Sequence, residues 1–75
     1  MAFIEKIERE EKKFRKQEAA ETTYTIGIIN GEKILQLNMY GSNHRQDIGK
    51  ASQVIQFDRN SAEQLVLLLK TTFLL

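Results

Sequence analysis

The chain has no cysteine and only one histidine, and it has no apolar run of the roughly 20 residues a bilayer span requires. Without cysteine there are no disulfides and no thiolate metal ligands. His44 has only Asp47 near it in sequence, too few ligands for a metal site, so no metal and no cofactor is expected. The opening residues, Met1-Ala2-Phe3-Ile4-Glu5-Lys6-Ile7-Glu8, soon become densely charged. They lack the uninterrupted apolar centre and small-residue cleavage site of a secretory signal. Together with the missing thiols this sets the expectation of a cytoplasmic protein with no membrane partner. Charge is also nearly absent as a signal, since the net value is +1. Residues 1–21 hold six acids and six bases, which balance, whereas dedicated non-specific DNA binders are more basic.

Seventy-five residues make one domain. A chain this short buries a modest fraction of its surface and gains stability most readily by self-association.

Phe3 to about Ala20 has the composition of a helix: good helix formers, no glycine or proline, and Glu-to-base pairs Glu5–Arg9, Glu8–Lys12 and Glu11–Arg15 at i, i+4. Its apolar stripe is thin, limited to Phe3, Ile4, Ile7 and Phe14. The expected organisation is a charged helix over 1–21 followed by a sheet and a second helix over 22–75.

Residues 23–29 and 32–40 alternate apolar and polar side chains on either side of Asn30-Gly31. That dipeptide accepts positive φ at both positions and predicts a β-hairpin. Ser52-Gln53-Val54-Ile55-Gln56-Phe57 alternates again and predicts a third antiparallel strand. Asp58-Arg59-Asn60-Ser61 then opens a C-terminal helix, with Asp58 or Asn60 as N-cap. The fold class expected is α+β.

In that helix Ala62, Leu65, Val66, Leu69, Thr72 and Phe73 share one face. Leu67 and Leu68 lie off it, and Leu74-Leu75 prolongs the apolar surface. So wide an arc exceeds what three strands can cover. A second copy is therefore expected over Leu65, Leu67, Leu68 and Phe73, making a homodimer or higher oligomer.

Alternation also sorts the strands into faces. Tyr24, Ile26, Ile28, Leu35, Leu37, Met39, Ile55 and Phe57 form the expected core face beneath the helix. The other face carries Thr23, Thr25, Gly27, Gln36, Asn38, Tyr40, Ser52, Val54 and Gln56. It is made of hydroxyls, amides and one ring, with almost no charge. Such groups both donate and accept, so this face suits a polar ligand or a wet interface.

The connector from Tyr40 to Gln53 is longer than a hairpin needs, and long loops in compact domains usually serve a function. It brings His44, Arg45 and Lys50 together with Ser42, Asn43 and Ser52, and its glycines let backbone N–H groups approach an anion. Arginine offers a planar fork to phosphate and lysine a point charge. The expected ligand residues are thus Tyr40, Ser42, Asn43, His44, Arg45, Lys50 and Ser52, joined by Gln36, Asn38 and Gln56. Catalysis is not expected. Ser42, His44 and Asp47 sit within one loop, without the buried carboxylate and oxyanion hole a triad needs. Gly41 to Lys50 also leads to a strand, with spacing wrong for a phosphate-binding P-loop.

From Leu35 to about Phe73 the chain resembles the positive-cofactor-four family of single-stranded DNA-binding proteins. The resemblance rests on Leu37-Asn38-Met39-Tyr40, the loop with His44 and Arg45, Gly49-Lys50, the strand to Phe57, and Ser61 to Phe73. It implies a dimer in which Tyr40 stacks on a base while Arg45 and Lys50 contact phosphates. Two alternatives stand beside it. One is a small phage or bacterial regulator that sequesters a nucleotide-like signalling anion between subunits. The other is a protein–protein adaptor or inhibitor that docks through the leading helix.

Overall fold

A computed structural model describes residues 1–41 and 51–75. Five elements follow in order: β1 (Ala2–Ile4), β2 (Glu21–Ile29), β3 (Glu32–Tyr40), β4 (Gln53–Phe57) and α1 (Arg59–Phe73). The four strands form one mixed sheet in the order β1-β4-β3-β2, with β1 parallel to β4 and the other neighbours antiparallel.

The β2–β3 hairpin turns on Asn30 and Gly31, at φ 52° and 81°. Both residues in the left-handed region match the right-handed twist of the strands, which Asn-Gly permits at low cost. Ile29 pairs with Glu32 to close the turn, and the register runs without a break to Glu21 opposite Tyr40.

The charged N-terminal helix expected over 1–21 is absent, and the sheet has four strands where three were expected. Ala2–Ile4 is the additional strand, laid along β4 with Phe3 opposite Gln56 and Ile4 opposite Phe57. Residues 5–20 have no regular secondary structure. The physical reason is the weakness of the helical alternative. Each exposed Glu-to-base pair at i, i+4 contributes only about 0.2–0.5 kcal/mol, and four apolar residues are too few to hold a helix against a core. The other edge of β4, by contrast, offers backbone hydrogen bonds to an extended partner. The ion pairs follow the change: Lys6–Glu8 (3.6 Å), Arg9–Glu11 (2.7 Å) and Glu10–Lys12 (3.3 Å) are at i, i+2, the spacing that shares a side of extended chain.

Residues 5–7 are tied to α1 at one point. The Ile7 N–H donates to Gln64 Oε1 (2.9 Å), and Gln64 Nε2 donates to the Glu5 carbonyl (3.1 Å).

α1 starts at a closed capping box. Asp58 Oδ1 accepts from the Ser61 N–H (3.0 Å), and the Asp58 N–H donates to Ser61 Oγ (3.1 Å). Ser61 takes the position usually held by Glu or Gln and is completely buried. At the other end Leu74 adopts the left-handed conformation, φ 56°, and its N–H reaches the Lys70 carbonyl.

Packing is sparse. Ile34 and Phe57 are the buried hydrophobic residues among those described. The helix meets the body through its first half only: Ser61 is buried and Ala62, Gln64 and Leu65 are half-buried, while every residue from Val66 onward is exposed. The expected core face exists as rows of register partners, since Leu37 lies between Tyr24 and Ile55, and Leu35 between Ile26 and Phe57. The helix does not cover its β2 part, where Tyr24, Ile26 and Ile28 remain 68%, 60% and 71% exposed. No helix among the described residues is long and apolar enough to cross a membrane.

Candidate functional site

The opposite side of the sheet is organised by a run of hydrogen bonds across three strands. The registers place Gln56, Gln36 and Thr25 in one row and Val54, Asn38 and Thr23 in the next. Gln56 Nε2 on β4 donates to Gln36 Oε1 on β3 (2.8 Å). Gln36 Nε2 donates along its own strand to Asn38 Oδ1 (2.7 Å). Asn38 Nδ2 in turn donates to the hydroxyls of Thr23 and Thr25 on β2, each at 3.2 Å.

The donations form one chain, from Gln56 on β4 through Gln36 and Asn38 on β3 to the threonines of β2. Asn38 is 8% exposed, and its amide accepts one of these bonds and donates two. Each threonine hydroxyl that accepts keeps its own O–H to donate outward. The ladder therefore fixes the amides in place and presents hydroxyl donors at one end.

Aromatic rings flank the ladder on the same face. Phe3, 47% exposed, stands opposite Gln56 and lines a shallow concavity with Met1, Gln36, Val54 and Gln56. Tyr40, half-buried, lies two residues beyond Asn38 on β3.

Of the expected ligand residues, Gln36, Asn38, Gln56 and Tyr40 thus share one face. Ser52 serves a different local need: its N–H (2.8 Å) and its hydroxyl (2.9 Å) both donate to the Met39 carbonyl, closing the base of the connector. Ser42, Asn43, His44, Arg45 and Lys50 lie outside the described residues. Of the expected interface residues, Leu67 and Phe73 are 67% and 65% exposed, Leu68 is exposed and Leu65 is half-buried.

Phe3 is the site residue that sequence reasoning assigned elsewhere. A three-residue strand is shorter than the window in which alternation can be recognised. Thr23 and Thr25 were placed on the right face, but their role as the acceptors that end the ladder depends on cross-strand register.

The ladder itself contains no ionisable group. Among the described residues no cluster of three or more His, Cys, Asp or Glu side chains could hold a metal ion. No protein-family model, no curated protein and no solved structure matches this chain.

Proposed function

We propose that this chain is a self-associating, non-enzymatic module that binds single-stranded nucleic acid across its amide-and-hydroxyl face. The observation that carries this reading is the ladder from Gln56 through Gln36 and Asn38 to Thr23 and Thr25, with Phe3 and Tyr40 beside it. Exposed sheet faces usually carry charge, which keeps them soluble and single. A neutral face of pre-set donors and acceptors between two rings suits unpaired bases, which offer π-faces and polar edges together. Arg45 and Lys50, in the connector between β3 and β4, supply the phosphate-seeking charge that the face itself lacks.

Fluorescence anisotropy with labelled thymidine and adenosine oligomers tests the reading. Saturable binding that weakens with salt is expected, with a slope of about −0.7 per phosphate contact. Replacing either Phe3 or Tyr40 by alanine is expected to weaken binding by roughly five- to a hundredfold, corresponding to about 1–3 kcal/mol per stacked base. Equal affinity for a mononucleotide would move the assignment to a small nucleotide-like anion. Absence of binding to DNA and RNA oligomers at low salt would end it.

A further inference from the structure

The chain exposes 7034 Å², whereas a compact protein of 8.7 kDa exposes about 4,700 Å². Its radius of gyration is 14.3 Å, against about 11 Å for a compact chain of this length. The surplus area is far larger than the roughly 800 Å² that one partner contributes to a stable interface. Extended residues 5–20 account for part of it, and the second half of α1 for another part.

A specific pattern runs along the helix from the half-buried Ala62 into its exposed second half. Ala62, Val66, Leu69 and Phe73 recur at intervals of 4, 3 and 4, the spacing of a coiled-coil seam. Val66, Leu69 and Phe73 are 49%, 38% and 65% exposed. Glu63 and Lys70 each stand one position after a seam residue, on the same flank, and with Arg59, Ala62, Val66 and Leu67 they line a shallow groove.

We infer that this surface docks a second copy of itself, the two α1 helices running antiparallel about a two-fold axis. The inference rests on the self-association in the reading above and names its surface and geometry. In this arrangement Ala62 meets Phe73 of the second copy and Val66 meets Leu69, so small packs against large in the outer layers. Glu63 meets Lys70 of the second copy twice over, which is the self-complementarity a two-fold interface requires. A parallel pairing would instead crowd two Phe73 rings in one layer and leave two Ala62 methyls facing each other in another, and would give Glu63 and Lys70 no partner of opposite charge across the seam. Side-chain volume and charge pairing therefore both favour the antiparallel orientation.

The test is sedimentation equilibrium of the full chain at micromolar concentration without nucleic acid. A dimer is expected. Glu63→Lys alone and Lys70→Glu alone each place like charges across both flanks, raising the dissociation constant about tenfold at low salt. Although the exposed Arg59–Glu63 pair (3.5 Å) within each helix is lost in both, the double variant Glu63→Lys/Lys70→Glu recovers affinity relative to Glu63→Lys alone. Those two positions are two helical turns apart within one chain, so restoration reports contact between chains. The absence of native cysteine permits a second measurement: Ala62→Cys/Phe73→Cys is expected to give an oxidised, covalently linked dimer, since the two positions are too distant to bridge within one helix. Ala62→Cys alone, which only parallel helices would link, should stay reducible to no dimer band.

A monomer at micromolar concentration, a double charge variant as weak as the singles, or a linked dimer from Ala62→Cys alone would each overturn the antiparallel seam. Anisotropy on the same samples separates the two conclusions. A dimer that binds no oligomer retains the seam and removes the nucleic-acid function, whereas a monomer that binds oligomer does the reverse.

Discussion

Local hydrogen bonds converge on the side chains of Asn38 and Asp58. Asn38, 8% exposed, accepts from Gln36 and donates to Thr23 and Thr25, so its removal takes a partner from a half-buried amide and from two hydroxyls on exposed threonines. Asn38→Ala is expected to lower unfolding stability by about 1–3 kcal/mol in urea titration. Asp58 acts at the start of α1. Its carboxyl is held below the ordinary carboxylate value chiefly by the Ser61 backbone N–H; desolvation opposes this, and the Ser61 hydroxyl and the N–H groups of Asp58 and Asn60 add to the lowering. A lowered folded value means that the cap contributes fully above the ordinary carboxylate range and is lost as pH falls through the lowered value. Thermal melts should therefore show Asp58→Ala below wild type at neutral pH, with the gap closing as the pH becomes strongly acidic. A constant gap at all pH values would rule out the charged cap.

At the scale of elements, the hairpin is the best determined part of the molecule. Gly31 sits at φ 81° with open space where a side chain would point, so substitution there is opposed by backbone conformation and not by a clash. Gly31→Val is expected to cost on the order of 1–3 kcal/mol, whereas Asn30→Gly should be nearly neutral; urea midpoints of the two variants distinguish the cases. The N-terminal segment shows the opposite balance. Its composition favours a helix, yet Ala2–Ile4 gains a ladder of backbone bonds with β4 and the charged residues after it meet solvent on every side. Local propensity of a few tenths of a kcal/mol per pair does not outweigh a strand edge awaiting a partner.

As a whole the molecule spreads its apolar surface instead of enclosing it. Among the described residues only Ile34 and Phe57, on opposite faces of the sheet, are buried hydrophobics, too few for a comfortably stable domain, while Tyr24, Ile26, Ile28 and the second half of α1 face outward. Stability is accordingly expected to come in part from association. Raising protein concentration tenfold should raise the melting midpoint by about 4 °C, and a midpoint independent of concentration would contradict this. Glu63→Lys should lower the midpoint and Glu63→Lys/Lys70→Glu should bring it back.

The sequence by itself determined what depends on near neighbours. Asn30-Gly31 set the hairpin, the Asp58-Arg59-Asn60-Ser61 run set the start of the helix, and alternation over 23–29, 32–40 and 52–57 placed the amides Gln36, Asn38 and Gln56 on one face. Each of these follows from backbone geometry over two to four residues, which chain order expresses directly. Only the tertiary structure decided the rest. It made Ala2–Ile4 a strand beside β4, its register partners 53 positions away in the chain, and it aligned Gln56, Gln36 and Thr25 so that separate polar residues became one bonded ladder. Those outcomes turn on which strand edges meet and in what register, and that competition between distant segments leaves no local mark in the order of residues.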